Sequence, residues 1–159
     1  MTLSVVMVTY NSADVVRGAM KSIAGLWDEL LVGDGESTDG TEKIVKRYGG
    51  MVVAQKADAP LGVRKQELVD RSKGDWILVL DADERVSPKL AQEIRRIIRG
   101  SSTALGTAIA AYRIPYQNYV FGRQVYYGGE KYAKVRLFRR GFAKISPEPL
   151  HEEIRVVGE

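Results

Sequence analysis

The chain has 159 residues, 45% of them hydrophobic, with 24 lysines and arginines against 20 aspartates and glutamates and no cysteine. That length suits one domain around one core, the apolar fraction argues against disorder, and no apolar run approaches the roughly 18 residues that a bilayer span requires. The absence of cysteine excludes a disulfide framework, a thiolate zinc site, an iron–sulfur cluster and a cysteine nucleophile.

The first hundred residues alternate short apolar runs with longer segments of helical spacing. Leu3–Val8 reads as a strand covered on both faces, Asn11-Ser12 as an N-cap, and Ala13–Ala24 as a helix stopped by Gly25. Glu29–Gly33 is a second strand, followed by a loop rich in Gly, Ser and Asp and a helix over Thr41–Tyr48 that stops at Gly49-Gly50. Met51–Ala54 is a third strand, Leu61–Ser72 a helix, and Trp76–Leu80 a fourth strand running into Asp81-Ala82-Asp83-Glu84. Ser87-Pro88 then opens a helix that reaches about Arg99. This alternation predicts an α/β fold with an open, mostly parallel, Rossmann-like sheet and helices on both faces.

Beyond residue 100 the helical period is lost. Ala108–Tyr112, Gln117–Phe121 and Lys134–Phe138 read as short strands, separated by a Ser101-Ser102-Thr103 loop, Gly128-Gly129 and Gly141. Pro147–Glu153 reads as a loop holding an acidic cluster and the only histidine. Residues 1–100 carry 15 basic and 15 acidic side chains, and the remainder 9 and 5, so the whole net charge of +4 lies in the last third. Such a surplus would suit a phosphate-bearing substrate or an anionic membrane surface, although a solvated surface with a chance excess has the same composition. No nucleic-acid-binding module is recognisable, and no nucleic acid partner is expected.

Ligands of open parallel sheets bind beyond the carboxyl ends of the strands. Thr9-Tyr10-Asn11, Asp34–Asp39 and Asp81–Glu84 each follow an apolar strand, which puts three polar clusters on one rim. Asp81 and Asp83, one residue apart, would share a side of the pleat, where like charges repel unless a cation lies between them. Mn²⁺ or Mg²⁺ would relieve that repulsion and keep positions open for phosphates; a solvated acidic turn is the other reading. Asp34 could hydrogen-bond a nucleoside while Asp39 or Thr41 caps the next helix, or the whole loop could serve only the turn. Arg64 would either meet a phosphate on the same rim or sit as an exposed helical arginine.

The segments Ser4–Asn11, Val32–Thr41 and Gly74–Glu84, in this order and spacing, resemble the three successive signatures of family 2 glycosyltransferases of the GT-A fold. The resemblance implies transfer of a sugar from a nucleotide diphosphate donor, a UDP-sugar ahead of a GDP-sugar, with a divalent metal and inversion at the anomeric carbon. Carried over by position, Thr9 and Tyr10 would lie against the base, with Asn11 beside them. Asp34 would hold base or ribose, and Arg64 would approach the diphosphate. Within the Asp81-Ala82-Asp83 triplet, Asp83 would be the principal metal ligand, and Asp81 would contact ribose or metal-bound water. Two positions depart from the family pattern. Glu36 stands where a small or uncharged residue is usual, and Lys65 where Asn commonly follows the arginine.

Val135–Arg140 and Leu150–Glu153 are similar to the branch containing lipopolysaccharide core glucosyltransferases, which implies a glycan or lipid-linked acceptor. An inverting displacement needs a base for the acceptor hydroxyl proton, and Glu152 is the expected one, with Glu153, Glu148 and Glu130 as rivals. His151 would complete the metal shell, hold the diphosphate, or simply pack in its loop. The chain is expected to be one GT-A-like domain, with residues 1–100 binding the nucleotide sugar and a short acceptor-side part, 101–159, supplying the base.

Met1–Met7 lacks the basic start and cleavage pattern of a secretory signal, so a cytoplasmic location is expected. That location could lie at the inner face of the membrane. The short acceptor region would need a membrane surface, a partner or a second copy in a homo-oligomer to complete it. A sugar-phosphate nucleotidyltransferase would favour a basic, Gly-rich loop after the first strand, where Thr9-Tyr10-Asn11-Ser12 stands instead. A receiver-like domain would need an acidic pair there, and an inactive nucleotide-sugar-binding module would differ from the enzyme only in an assay.

Overall fold

The computed structural model describes residues 1–100, 109–121, 123–125, 133–148 and 152–157. Strands β1 (Leu3–Thr9), β2 (Glu29–Asp34), β3 (Met51–Ala54) and β4 (Trp76–Val79) alternate with helices α1 (Ala13–Ser22), α2 (Thr41–Arg47) and α3 (Leu61–Arg71), and α4 (Pro88–Gly100) follows β4. Then come β5 (Ala111–Pro115), β6 (Tyr119–Val120), β7 (Arg123–Gln124), β8 (Ala133–Arg139), β9 (Ala143–Ile145) and β10 (Ile154–Val156). The main sheet has the order β3-β2-β1-β4-β8-β5. Its first four strands are parallel, while β8 runs antiparallel to both β4 and β5.

All seven residues of β1 are buried, as a central strand covered on both faces requires. Side chains alternate between those faces. Leu3, Val5 and Met7 pack with the apolar stripes of α1, α2 and α4, whereas Val6 and Val8 pack with Leu68 and Val69 of α3 and with Ala143 and Ile145 of β9. The expected α/β class and the mostly parallel open sheet are what is found.

The differences from expectation lie at element ends and in the last third. Ser12 does not cap α1 with its side chain: its hydroxyl turns back to the Tyr10 carbonyl, and the Ala13 N–H is bound by Asp39 from the neighbouring loop. Ser87 does cap α4, accepting a hydrogen bond from the Leu90 N–H, with Pro88 as the first helical residue. Gln117–Phe121 is not one strand, because β6 pairs across a short turn with β7. The β9–β10 hairpin was not expected, since strands of three residues offer too few positions for an alternating pattern. Ser101–Thr103, Ala108, Gly128-Gly129, Pro149 and Leu150 lie outside the described residues.

That hairpin reaches the sheet through α3. Ile145 N–H donates to Gln66 Oε1 on the helix, and Gly62, one turn earlier, lets the Ser146 carbonyl come so close that a Cβ on Gly62 would lie 1.9 Å from its oxygen. Gly62→Ala is therefore expected to cost about 1–3 kcal/mol, the range for overpacking a contact that cannot relax. Gly100→Ala, whose Cβ would meet nothing within 4 Å, should change stability by less than about 0.5 kcal/mol. Urea denaturation of both variants checks this, and equal midpoints would contradict the close approach.

Candidate active site

The rim at the carboxyl ends of β1 and β2 is a closed hydrogen-bond network. The Asp34 carboxylate, 6% exposed, accepts from the Thr9 hydroxyl at 2.8 Å, the Ser37 hydroxyl at 2.7 Å and the Ser37 N–H at 2.8 Å. Asn11, in the left-handed region at φ 44°, donates its N–H to Ser37 Oγ and accepts from the Thr38 N–H, which ties the loop after β1 to the loop after β2. Asp39 completes the link by accepting from Thr41, in the first turn of α2, and from Ala13, the first residue of α1. Its hydrogen bond from the Thr41 side chain, then that from Ala13, holds its carboxyl below the ordinary range. Asp39 is thus a bridge between two helix starts, and Asp34 is the buried carboxylate nearest the strand end. Tyr10 and Glu36 are exposed beside this network, and Glu36 also has a positive φ, 63°, a conformation an unbranched charged residue seldom adopts.

Arg64 is not an exposed helical arginine. It is 6% exposed, donates to the Thr9 carbonyl at 3.1 Å, and is held by Gln55, whose amide donates to the Arg64 carbonyl and to Glu67. Burial pulls its guanidinium below the ordinary value, against the pull of Asp34, but an arginine so placed stays charged at neutral pH. Arg64 thereby puts a positive charge directly beneath the loops that follow β1 and β2.

The second half of the site is an ion cluster. Lys65 Nζ, its side chain 1% exposed, lies 2.5 Å from Asp81 Oδ1 and 2.5 Å from Glu152 Oε1. Arg136 of β8, 8% exposed, places NH2 2.7 Å from Asp81 Oδ2 and 3.0 Å from Glu84 Oε1, and its Nε donates to the Tyr116 hydroxyl. Burial alone would raise the Asp81 carboxyl, but Lys65 and then Arg136 outweigh it and hold the group below the usual carboxylate range. The Arg136 guanidinium is pushed up, since Asp81 and Glu84 more than offset its burial.

The Asp81-Ala82-Asp83 triplet is not an extended pleat. Strand β4 ends at Val79, and Glu84 N–H donates to the Asp81 carbonyl, so the triplet forms a turn. Both Asp81 oxygens face cations, whereas Asp83 is exposed with no hydrogen bond or ion pair among the described residues. Ala82 is half-buried against the larger core cluster and keeps the turn close to the sheet. No three His, Asp or Glu side chains among the described residues are grouped as a metal cage. His151 and Glu130 lie outside the described residues; Glu148 and Glu153 are exposed.

Lys65, Arg136 and Tyr116 are the side chains to which sequence reasoning gave no role. The signal for Lys65 was its departure from the family's Asn. Arg136 stood in a motif quoted for other reasons, and nothing local marked Tyr116.

An open, mostly parallel sheet whose rim joins a buried aspartate, an arginine under the loops and a D-x-D turn is the architecture of a GT-A fold. The pattern of the glycosyl transferase family 2 matches residues 4–148, and the chain belongs to that family. A relative from Rickettsia bellii, described as an uncharacterized glycosyltransferase, is 37% identical over 95 residues, which is 60% of this chain and 32% of that protein. Staphylococcus aureus TarS 1-349 shares the fold with a TM-score of 0.59 at 17% identity, over 93% of this chain and 51% of its own. Mannosyl-3-phosphoglycerate synthase from Rubrobacter xylanophilus gives a TM-score of 0.52 at 29% identity, over 62% of this chain and 36% of its own. The chain spans about a third of the length of the curated relatives it matches.

The ion cluster has a measurable signature in acid. Because the folded Asp81 carboxyl titrates below its unfolded value of about 4, its contribution to stability is whole above that value and disappears as pH falls below it. Wild-type stability from urea denaturation should therefore fall more steeply between about pH 5 and about pH 2 than that of Asp81→Asn, which has no carboxylate there to protonate. Parallel curves would show that Lys65 and Arg136 do not stabilise the Asp81 carboxylate.

Proposed function

We propose that this family 2 member moves a sugar from a nucleotide diphosphate donor, UDP-sugar ahead of GDP-sugar, to a glycan or lipid-linked acceptor with inversion at the anomeric carbon. The observation that carries this reading is the shared rim. The Thr9–Asn11, Asp34–Asp39 and Asp81–Glu84 segments stand side by side, and Lys65 joins Asp81 to Glu152 from the far end of the chain. Residues 1–100 are the donor part and 101–159 the acceptor part.

In this reading Thr9, Tyr10 and Asn11 border the base, Asp34 holds base or ribose through the oxygens that Thr9 and Ser37 orient, and Arg64 contributes its charge toward the diphosphate. Asp83, exposed and unpaired, fits a hard cation, Mn²⁺ or Mg²⁺, whose remaining positions the diphosphate would fill. Asp81 fits a direct metal ligand less well, because both of its oxygens are engaged, and it serves ribose or metal-bound water instead. His151 remains the third proposed ligand. The ion, when bound, would neutralise charge on the departing diphosphate.

Glu152, 13% exposed, has Oε1 fixed by Lys65 and borders a cavity, while no described residue engages Oε2. That second oxygen is the proposed base. The acceptor oxygen attacks the anomeric carbon, its proton passes to Glu152, and the diphosphate leaves with the bonding pair. No helix among the described residues is long and apolar enough to cross a membrane. The proposed glycan or lipid-linked acceptor is met at the inner face of the membrane.

Two outcomes follow. Asp83→Ala should weaken UDP binding in Mn²⁺ by about tenfold or more and remove its metal dependence; unchanged affinity and metal dependence in a folded variant would reject Asp83 as the ligand. Glu152→Gln should bind the donor within about threefold of wild type yet lose about 10²–10⁴ in turnover at saturating acceptor. A variant that keeps more than about a tenth of turnover would pass the role to Glu153, Glu148 or Glu130.

A further inference from the structure

Between the carboxyl end of β4, the start of α3, β8 and β10 lies a cavity of about 520 Å³. Its size suits a monosaccharide carrying a substituent. None of Thr9, Asp34, Arg64 and Asp83 lines it, so it lies outside the nucleoside end of the rim. Glu152 does line it, together with a second carboxylate, Glu153, and five cationic side chains.

These cations are of two kinds. Lys65 and Arg136 are buried, and Asp81, Glu84 and Glu152 neutralise them. Arg113, Lys134 and Arg155 are exposed. The Arg113 side chain has no hydrogen-bond or ion-pair partner among the described residues. Arg155 faces Glu153 at 3.5 Å with both side chains about 70% exposed, a pairing that water screens to little net value. One guanidinium on the cavity, that of Arg113, is thus unpaired among the described residues and a second, that of Arg155, is only weakly held; guanidinium is the side chain whose planar donors match phosphate oxygens two at a time.

We propose that this cavity is an acceptor subsite for a phosphate-bearing molecule, with the reacting hydroxyl toward Glu152 and the phosphate between Arg113 and Arg155. The assignment rests on the glycosyltransferase reading for the direction of the hydroxyl, whereas the anion preference follows from the cavity alone. A neutral acceptor would leave the Arg113 guanidinium without a partner, and Arg155 with only its screened pairing to Glu153, beside Val135, Ile145 and Ile154. The phosphate has two chemical sources, a soluble sugar phosphate or the headgroup of a phospholipid-type carrier, and both present the same oxygens.

Calorimetric titration of the UDP-loaded protein with glucose 6-phosphate and with glucose separates charge from sugar. Cosedimentation with phosphatidylglycerol and phosphatidylcholine vesicles separates the two sources. The phosphorylated sugar is expected to bind at least about tenfold tighter than glucose, or the anionic vesicles to be preferred by a similar factor. The Arg113→Gln/Arg155→Gln double variant should lose that preference, and the Arg113→Lys/Arg155→Lys variant should retain part of it. Three results would overturn the inference: indifference to charge in both assays, an unchanged preference in the Gln variant, or displacement of glucose 6-phosphate by UDP, which would assign the cavity to the donor. Failure of the wild-type protein to bind UDP or a UDP-sugar at all would instead remove the glycosyltransferase reading and leave the anion measurement standing.

Discussion

A lysine ammonium with 1% of its side chain exposed is costly to bury in a protein interior without carboxylates around it, and this requirement organises the molecule. Lys65 meets it with two carboxylates far apart in the chain: Asp81, just past the last parallel strand, and Glu152, just before β10. Removing either partner would leave a buried charge undercompensated. The C-terminal segment is therefore held against α3, at a distance of 87 residues in sequence, by an interaction that also sets the position of the proposed base.

Helix α3 carries the consequences in both directions. Arg64 and Lys65 are consecutive, so the helix turns them toward different neighbours. Arg64 lies beneath the loops after β1 and β2, and Lys65 lies at the turn after β4. One rigid element thus aligns the donor rim with the acceptor side. Gly62 and Gln66 on the same helix seat the loop and hairpin that carry Glu152, and the absent side chain of Gly62 is what allows the Ser146 carbonyl to approach. The donor rim is preorganised by its own network, in which Asp34 and Asp39 take hydrogen bonds from both loops before any ligand arrives.

The parallel part of the fold was legible because each strand is a short apolar run and each helix carries an apolar stripe; those local patterns fix element type and order. The three polar clusters were legible as a site because parallel strands bring their carboxyl ends to one edge. What sequence patterns do not encode is which polar side chain reaches across to which. Asp39, three residues beyond the loop's left-handed Glu36, caps a helix in a different part of the chain, and Ser12, with a good capping side chain, is left without that role. The D-x-D triplet looked like a strand end with two equivalent carboxylates, but a turn divides them into one paired and one exposed. The β9–β10 hairpin is too short for periodicity to reveal, and Arg136 acquires its role only when β8 is placed antiparallel beside β4.

The account stands most directly on the energetic link between Lys65 and Glu152. A double-mutant cycle with Lys65→Met, Glu152→Gln and the pair, measured as urea unfolding free energies near pH 7, isolates that link from the separate effects of each change. A coupling above about 1 kcal/mol is predicted, with the double variant more stable than the sum of the single losses implies. Losses that add to within about 0.3 kcal/mol would show that α3 and the C-terminal segment are not joined through this lysine.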